Sequence, residues 1–202
     1  MRFRVEPISG DSAVRQYSRL LDECFSVPAK QKFLNDFPVW NPVFGCQPVQ
    51  RLGIFKNEEL LSTVSARIAE LKTPGQKTLK VSVIGGVATR GDSRGLGLAS
   101  QGIQAALQWS KEQEAALVLL WGSELSFYQK FGFELCGFQM RLPVEKLGIR
   151  PKVLSRMSVG WNPKIFSFLQ SRQFGLKLRD WDRNWYESHE NVRWFWISDE
   201  EG

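Results

Sequence analysis

The stretch Arg94-Gly95-Leu96-Gly97-Leu98-Ala99 combines residue types and spacing that could do chemistry. It lies between an apolar, alternating run from Leu79 to Thr89 and an amphipathic run from Leu96 to Gln113. A glycine-rich turn leading from a strand into a helix is a seat for phosphate. The first amides of a helix have no partner within the helix, and the helix dipole adds partial positive charge there. Gly95 and Gly97 let the backbone close on an anion, and Arg94 adds a planar guanidinium fork. The stretch has neither the Gly-Lys-Ser/Thr of a nucleotide P-loop nor the Gly-x-Gly-x-x-Gly of a dinucleotide fold. Several strands also precede it, whereas the dinucleotide loop follows the first strand. By itself it reads first as an ordinary helix start, since two glycines near a helix start are common.

A second motif, Phe127-Tyr128-Gln129-Lys130-Phe131-Gly132-Phe133, follows another apolar run, Ala115 to Trp121. The order is then strand, Arg-x-x-Gly-x-Ala loop, helix, strand, short helix, Phe-Tyr-x-Lys-x-Gly-Phe, strand. Arg94 and Tyr128 are 34 residues apart (128 minus 94), the room a strand–helix–strand crossover needs. On these two motifs, residues Arg2 to Leu142 resemble the GNAT superfamily of acyl-CoA-dependent N-acetyltransferases. The resemblance implies an α/β (α+β) fold. Its mixed, mostly antiparallel central sheet is flanked by helices, strands four and five run parallel and splay apart, and a C-terminal α/β extension follows.

The same resemblance implies the site. Acetyl-CoA is the cosubstrate, with no metal. The pantetheine arm lies along Val87, Ala88 and Thr89, and the pyrophosphate sits on the amides of Gly95, Leu96, Gly97, Leu98, Ala99 and Ser100, beside Arg94. A backbone N–H near Val87 polarises the thioester carbonyl. Tyr128 is the general acid for the departing thiolate, although a core aromatic beside Phe127, Phe131 and Phe133 would read the same way. The chain departs from the family in two places. Leu79 to Thr89 holds no acid to act as base, which leaves Glu70 as the nearest candidate, and Gly91 stands where many members carry proline.

The positioning elements follow from periodicity. Arg2 to Ile8 reads as a strand. Gly10-Asp11-Ser12 supplies turn and cap residues before a helix whose buried stripe is Val14, Tyr17, Leu20, Leu21 and Cys24. Lys30 to Phe37 is a short helix, and Pro38 to Pro48 a loop. Val49–Phe55 and Leu60–Leu71 form a hairpin. Gly85-Gly86 inside the next strand marks a bulge. Leu96, Ala99, Ile103, Ala106 and Leu107 give the long helix its apolar stripe. Glu124 to Phe131 is a short helix and Phe133 to Leu142 a strand. Residues 1–142 are expected to form the acetyltransferase domain. Residues 143–202 form an extension holding five of the chain's eight tryptophans. That extension has a helix over Asn162–Ser171, another over Asp180–Tyr186 and a strand over Asn191–Ser198, and it reads as a partial second GNAT-like repeat docked on the first domain.

Composition bounds the function classes. The chain has 202 residues, 43% hydrophobic and 24% charged, with a net charge of +6, as in a soluble globular protein. No run reaches the ~20 apolar residues of a membrane span. Cys24, Cys46 and Cys136 show no pair spacing and His189 is the one histidine, which argues against a metal centre and for free thiols in a reducing compartment. With a strand-like N-terminus, the expectation is a cytoplasmic protein. Nine Lys or Arg against Glu145 alone fall between Arg141 and Arg179, either a solvated face or a surface for CoA phosphates or nucleic acid. Three functions therefore stand open: acetyl transfer to a primary amine of a small molecule or protein, a non-catalytic acyl-CoA-binding module, and a tRNA-dependent transferase. No membrane partner is expected.

Overall fold

A computed structural model of the chain describes residues 3–25, 32–43, 48–75, 77–137, 157–188 and 194–197. The expected domain boundary near residue 142, Cys46, His189 and the part of the basic run before residue 157 lie outside these. The sheet runs in the order β1 (Arg4–Pro7), β2 (Val49–Lys56), β3 (Glu59–Lys72), β4 (Thr78–Thr89) and β5 (Leu117–Leu120). The first three pairings are antiparallel and β4–β5 is parallel, so the expected mixed, mostly antiparallel sheet is present. β2 and β3 form a hairpin turned at Asn57, whose φ of 55° is the left-handed geometry such tight turns need.

Two helices sandwich the sheet. On one face, α1 (Gly10–Cys24) buries Tyr17, Leu20 and Leu21 against Val81, Val83 and Ala88. The first turn of α1 takes in Gly10-Asp11-Ser12, with Ser9 before it making no side-chain cap, so the residues read as cap signals are already helical. The short α2 (Phe33–Asp36) is anchored to α1 by Asp22, whose Oδ1 accepts from the Phe33 amide at 2.8 Å. A 3-10 turn, Pro38–Trp40, follows and buries Val39 and Trp40 on this face.

On the other face, α3 (Leu98–Glu112) packs Ile103 and Ala106 on Val64, Ala66 and Ile84. The approach is close because Gly102 has no side chain. A Cβ there would lie 2.6 Å from Val64 Cγ2 and 3.1 Å from Ile54 Cδ1. α3 begins two residues later than its apolar stripe suggests, since Gly95 and Gly97 take φ of 80° and 73°, outside helical geometry. Glu114, with φ of 56°, turns the chain after α3, which leaves β5 shorter than its apolar run. The short α4 (Leu125–Gln129) follows. The strand expected from Phe133 is not present over residues 133–137, and its remainder lies outside the described residues.

The C-terminal segment contributes β6 (Met157–Val159), α5 (Pro163–Ser171), β7 (Gly175–Leu176), α6 (Asp182–Ser188) and β8 (Phe195–Ile197). Asn162 caps α5 by accepting from the Lys164 amide at 2.9 Å. β6 and β8 pair antiparallel as a separate small sheet, whose inter-strand partners the sequence reading did not anticipate. The segment docks on the main sheet. β7 pairs with Leu71 and Lys72 at the end of β3, past the last β2 partner. Lys72 Nζ donates to the Gln170 and Arg172 carbonyls at 2.6 and 3.1 Å. Arg67, buried on β3, faces the equally buried Asp182 at 3.9 Å and lies 5.8 Å from the Trp181 ring centroid.

Candidate active site

The site arises where β4 and β5 part. Their parallel pairing ends at Ile84–Leu120, but β4 continues to Thr89. The cause is written into β4. Ser65 pairs with Gly85 and Thr63 with Ala88, so Gly86 and Val87 together face Val64 alone. This is a bulge of one extra residue, with Gly86 at φ 57°. It also reverses the alternation. Val81 and Val83 face α1 together with Ala88, while Ile84 and Val87 face α3. A strand edge left open in this way presents backbone N–H and C=O groups to whatever enters beside it.

Beside that edge is a cleft of about 400 Å³. β4 lines it with Val87, Ala88 and Thr89, the loop before α3 with Arg94, the first turn of α3 with Ala99, and the end of α1 with Cys24 and Phe25. Glu124, Phe127 and Tyr128 close the far side. The expected pantetheine strand and the expected acid therefore meet in one cavity with Arg94 and Ala99 of the expected anion loop, while Gly95, Leu96, Gly97, Leu98 and Ser100 are not among its lining residues. Leu98 is placed differently from its neighbours: its side chain is buried against Ile54 and Leu61, so it offers only its backbone. Leu96 is exposed. The first-turn amides of α3 are those of Leu98, Ala99 and Ser100, and Gly97 in left-handed geometry leads into them. Gly91 opens a short 3-10 turn. Next to it Arg90 is held by Glu59 and Asp92, so the base of the loop is braced by ion pairs.

Tyr128 is half-buried. Its ring packs edge-on against Phe127 and Phe133, with centroids 5.0 and 6.0 Å away, and lies over Gly122, where a Cβ would meet it at 2.8 Å. Burial, and secondarily the Glu124 carboxylate, pushes its phenol above the ordinary value, which keeps the proton on. Cys24 donates its S–H to the Thr89 carbonyl at 3.3 Å. Burial raises its thiol against the smaller pull of that bond and of Arg94.

Glu70 is not brought to this cleft. It pairs with Lys80 in the β3–β4 register, five residues along β3 from Ser65, or roughly 17 Å at the rise of a strand. Its carboxylate is held by Lys177 Nζ at 2.8 Å and Arg179 Nη2 at 3.2 Å, and these contacts, the Lys177 bond first, hold its pKa below the usual carboxylate range. Glu70 thus serves the docking of the C-terminal segment, and two cations of the basic run are spent on it. Sequence reading missed Cys24, Phe25, Glu124 and Phe127 as cleft residues. Glu124 carried a usable signal, because it stands one helical turn before Tyr128. Cys24 and Phe25 carried none, because only packing brings the end of α1 to β4. Among the described residues no group of acids, histidines and cysteines could hold a metal ion, and no helix is long and apolar enough to cross a membrane.

The family model described as an acetyltransferase (GNAT) domain matches residues 5–136. No curated protein matches the chain. Among solved structures, an acetyltransferase from Trypanosoma brucei is 21% identical, with a TM-score of 0.53 over 71% of this chain and 100% of that one. A conserved protein from Enterococcus faecalis V583 is 23% identical, with a TM-score of 0.56 over 65% of this chain but 32% of that longer one. The enzyme AAC(6')-Iy, in complex with a CoA-containing bisubstrate analogue, is 13% identical with a TM-score of 0.54 over 70% of this chain and 100% of that one. At these identities the likeness is one of fold.

Proposed function

Because the chain belongs to the GNAT acetyltransferase family, we propose that its cleft transfers an acetyl group from acetyl-CoA to a primary amine by direct attack. The observation that carries this reading is the parting of β4 from β5 beside a cavity that also receives Arg94, Ala99 and Tyr128. The bulged edge at Val87 to Thr89 takes the amide-bearing pantetheine arm as an added strand would be taken. The first amides of α3, with Arg94, take the pyrophosphate. The Val87 N–H faces the thioester oxygen as it gains negative charge.

The amine nitrogen attacks the thioester carbon, the carbon–sulfur bond breaks, and Tyr128 gives its proton to the departing thiolate. A phenol kept protonated by burial suits that role. Glu124 is the carboxylate among the described lining residues and takes the proton the amine loses. Cys24 is not the acyl carrier in this scheme, because burial holds its thiol neutral and the thiolate is the nucleophile.

The test is CoA release from acetyl-CoA over a panel of primary amines, with acetyl-CoA binding recorded in the same samples. Amine-dependent release is the expected result. Binding without release across small-molecule, peptide and protein amines would leave an acyl-CoA-binding module instead. Absence of binding would refute the assignment of the cleft.

A further inference from the structure

The bulge that opens the cleft is not fixed by the sheet alone, since its extra residue has no ladder partner of its own. Three elements converge behind it on the α1 face. The Tyr17 hydroxyl, fully buried, lies 2.9 Å from Ser65 Oγ and donates to the Trp40 carbonyl at 3.3 Å. Both hydroxyls sit 3.6 Å from where a Cβ on Gly86 would be. The Trp40 indole covers Gly85 so closely that a Cβ there would fall 2.4 Å from its Cζ2. Arg51 fixes the turn carrying that indole, with Nε donating to the Trp40 carbonyl at 2.7 Å and Nη2 to the Asn41 carbonyl at 2.9 Å.

These bonds form a directed chain. Ser65 O–H donates to Tyr17, and Tyr17 O–H donates to Trp40. Buried hydroxyls are costly to leave unpaired, so α1, β3 and the 38–40 turn are held in one mutual position directly behind Gly85-Gly86. The bulge in turn decides that Val87 faces α3 and the cleft while Ala88 faces α1.

We propose that Tyr17, Ser65 and Trp40 are positioning residues for the acyl-transfer reaction: their hydroxyl pair and indole hold the bulge so that the Val87 amide points at the thioester oxygen. This rests on the acyl-transfer reading above. None of the three lines the cleft, so they act on turnover through the backbone and not through contact with acetyl-CoA.

The experiment compares Tyr17→Phe, Ser65→Ala and the double variant with wild type for kcat, acetyl-CoA Kd and amide hydrogen exchange. Tyr17→Phe keeps the buried ring and removes only the hydroxyl. Removing a whole oxyanion donor costs about 10²–10³ in kcat, so a misaimed one is expected to cost about tenfold or more, with Kd within about twofold. The double variant is expected to be no worse than the poorer single, because the pair acts as one unit. Exchange at Gly85 and Ala88, the ladder residues that flank the bulge, is expected to quicken about tenfold, with Val81 to Val83 unchanged.

An unaltered kcat in Tyr17→Phe overturns the proposal. So does a fall in kcat and affinity together with faster exchange throughout the sheet, which is the signature of a core residue only. If wild type turns over no amine, the acyl-transfer reading fails on its own. Exchange then decides only whether the hydroxyl pair holds the bulge: local quickening at Gly85 and Ala88 sustains that part, and unchanged exchange overturns it.

Discussion

Gly102→Ala should destabilise the protein, although the same change in a solvent-facing helix position would stabilise it. Alanine is favoured over glycine in a helix interior by about 0.8–1 kcal/mol. At Gly102 the added Cβ would stand 2.6 Å from Val64 Cγ2, about 1 Å inside an ordinary carbon–carbon contact. Val64 is fully buried and β-branched, so it cannot swing away. Either α3 or β3 must move, and such overpacking costs about 1–3 kcal/mol. The balance is a loss of about 0–2 kcal/mol. Urea unfolding would read it as a lower midpoint at unchanged slope. Gly102 is one turn after Leu98, so the displacement carries the first-turn amides with it, and CoA affinity should fall about threefold or more. Val64→Ala, costly alone, should cost less in the Gly102→Ala background because the two side chains compete for one space. A Gly102→Ala variant about 1 kcal/mol more stable than wild type, with unaltered CoA affinity, would refute the argument that this glycine exists to seat α3 on the sheet.

Tyr128→Phe should lower kcat about 10²-fold or more with CoA affinity within about twofold. In wild type the basic limb of kcat should lie above the ordinary phenol value, because burial raises that group and the acid works only below its pKa. Loss of affinity without loss of kcat would remove Tyr128 from the chemistry. Arg94→Ala should weaken CoA binding about 3–10-fold and flatten its dependence on salt, since an exposed guanidinium at a phosphate seat is screened, and salt titration of Kd reads both. Glu70→Gln should leave turnover unchanged while speeding proteolytic release of the C-terminal segment. The paired carboxylate is worth about 0–1 kcal/mol at this exposure. Because its folded pKa is depressed, that contribution is present above the unfolded carboxylate value and is lost as pH falls through the folded one. A drop in kcat for Glu70→Gln would return Glu70 to the list of candidate bases.

The elements with strong local signals were legible in the sequence. The stripe of Tyr17, Leu20 and Leu21, the β2–β3 hairpin and the alternation along β4 are carried by residue periodicity, and each forms close to where it was expected. Gly85-Gly86 announced a bulge because two glycines in a strand have few other uses, and the order of the two motifs gave the family. Boundaries were less legible. α3 starts at Leu98 because two positive-φ glycines hold off a helix that its apolar stripe would have begun earlier.

What only the tertiary structure decided concerns residues that meet across long sequence separations. Nothing near Glu70 in the chain shows that Lys177 and Arg179 will claim its carboxylate, since ion pairs depend on distance in space. Nor does the sequence place Cys24 at the Thr89 carbonyl, or Tyr17, Ser65 and Trp40 behind the bulge. The sequence by itself determined the residue types available here: a glycine-rich loop after an arginine, a tyrosine, and a strand that must break its alternation. The packing of α1 and α3 on opposite faces determined where that chemistry converges, because the direction of a backbone amide is set by everything that holds its strand in place.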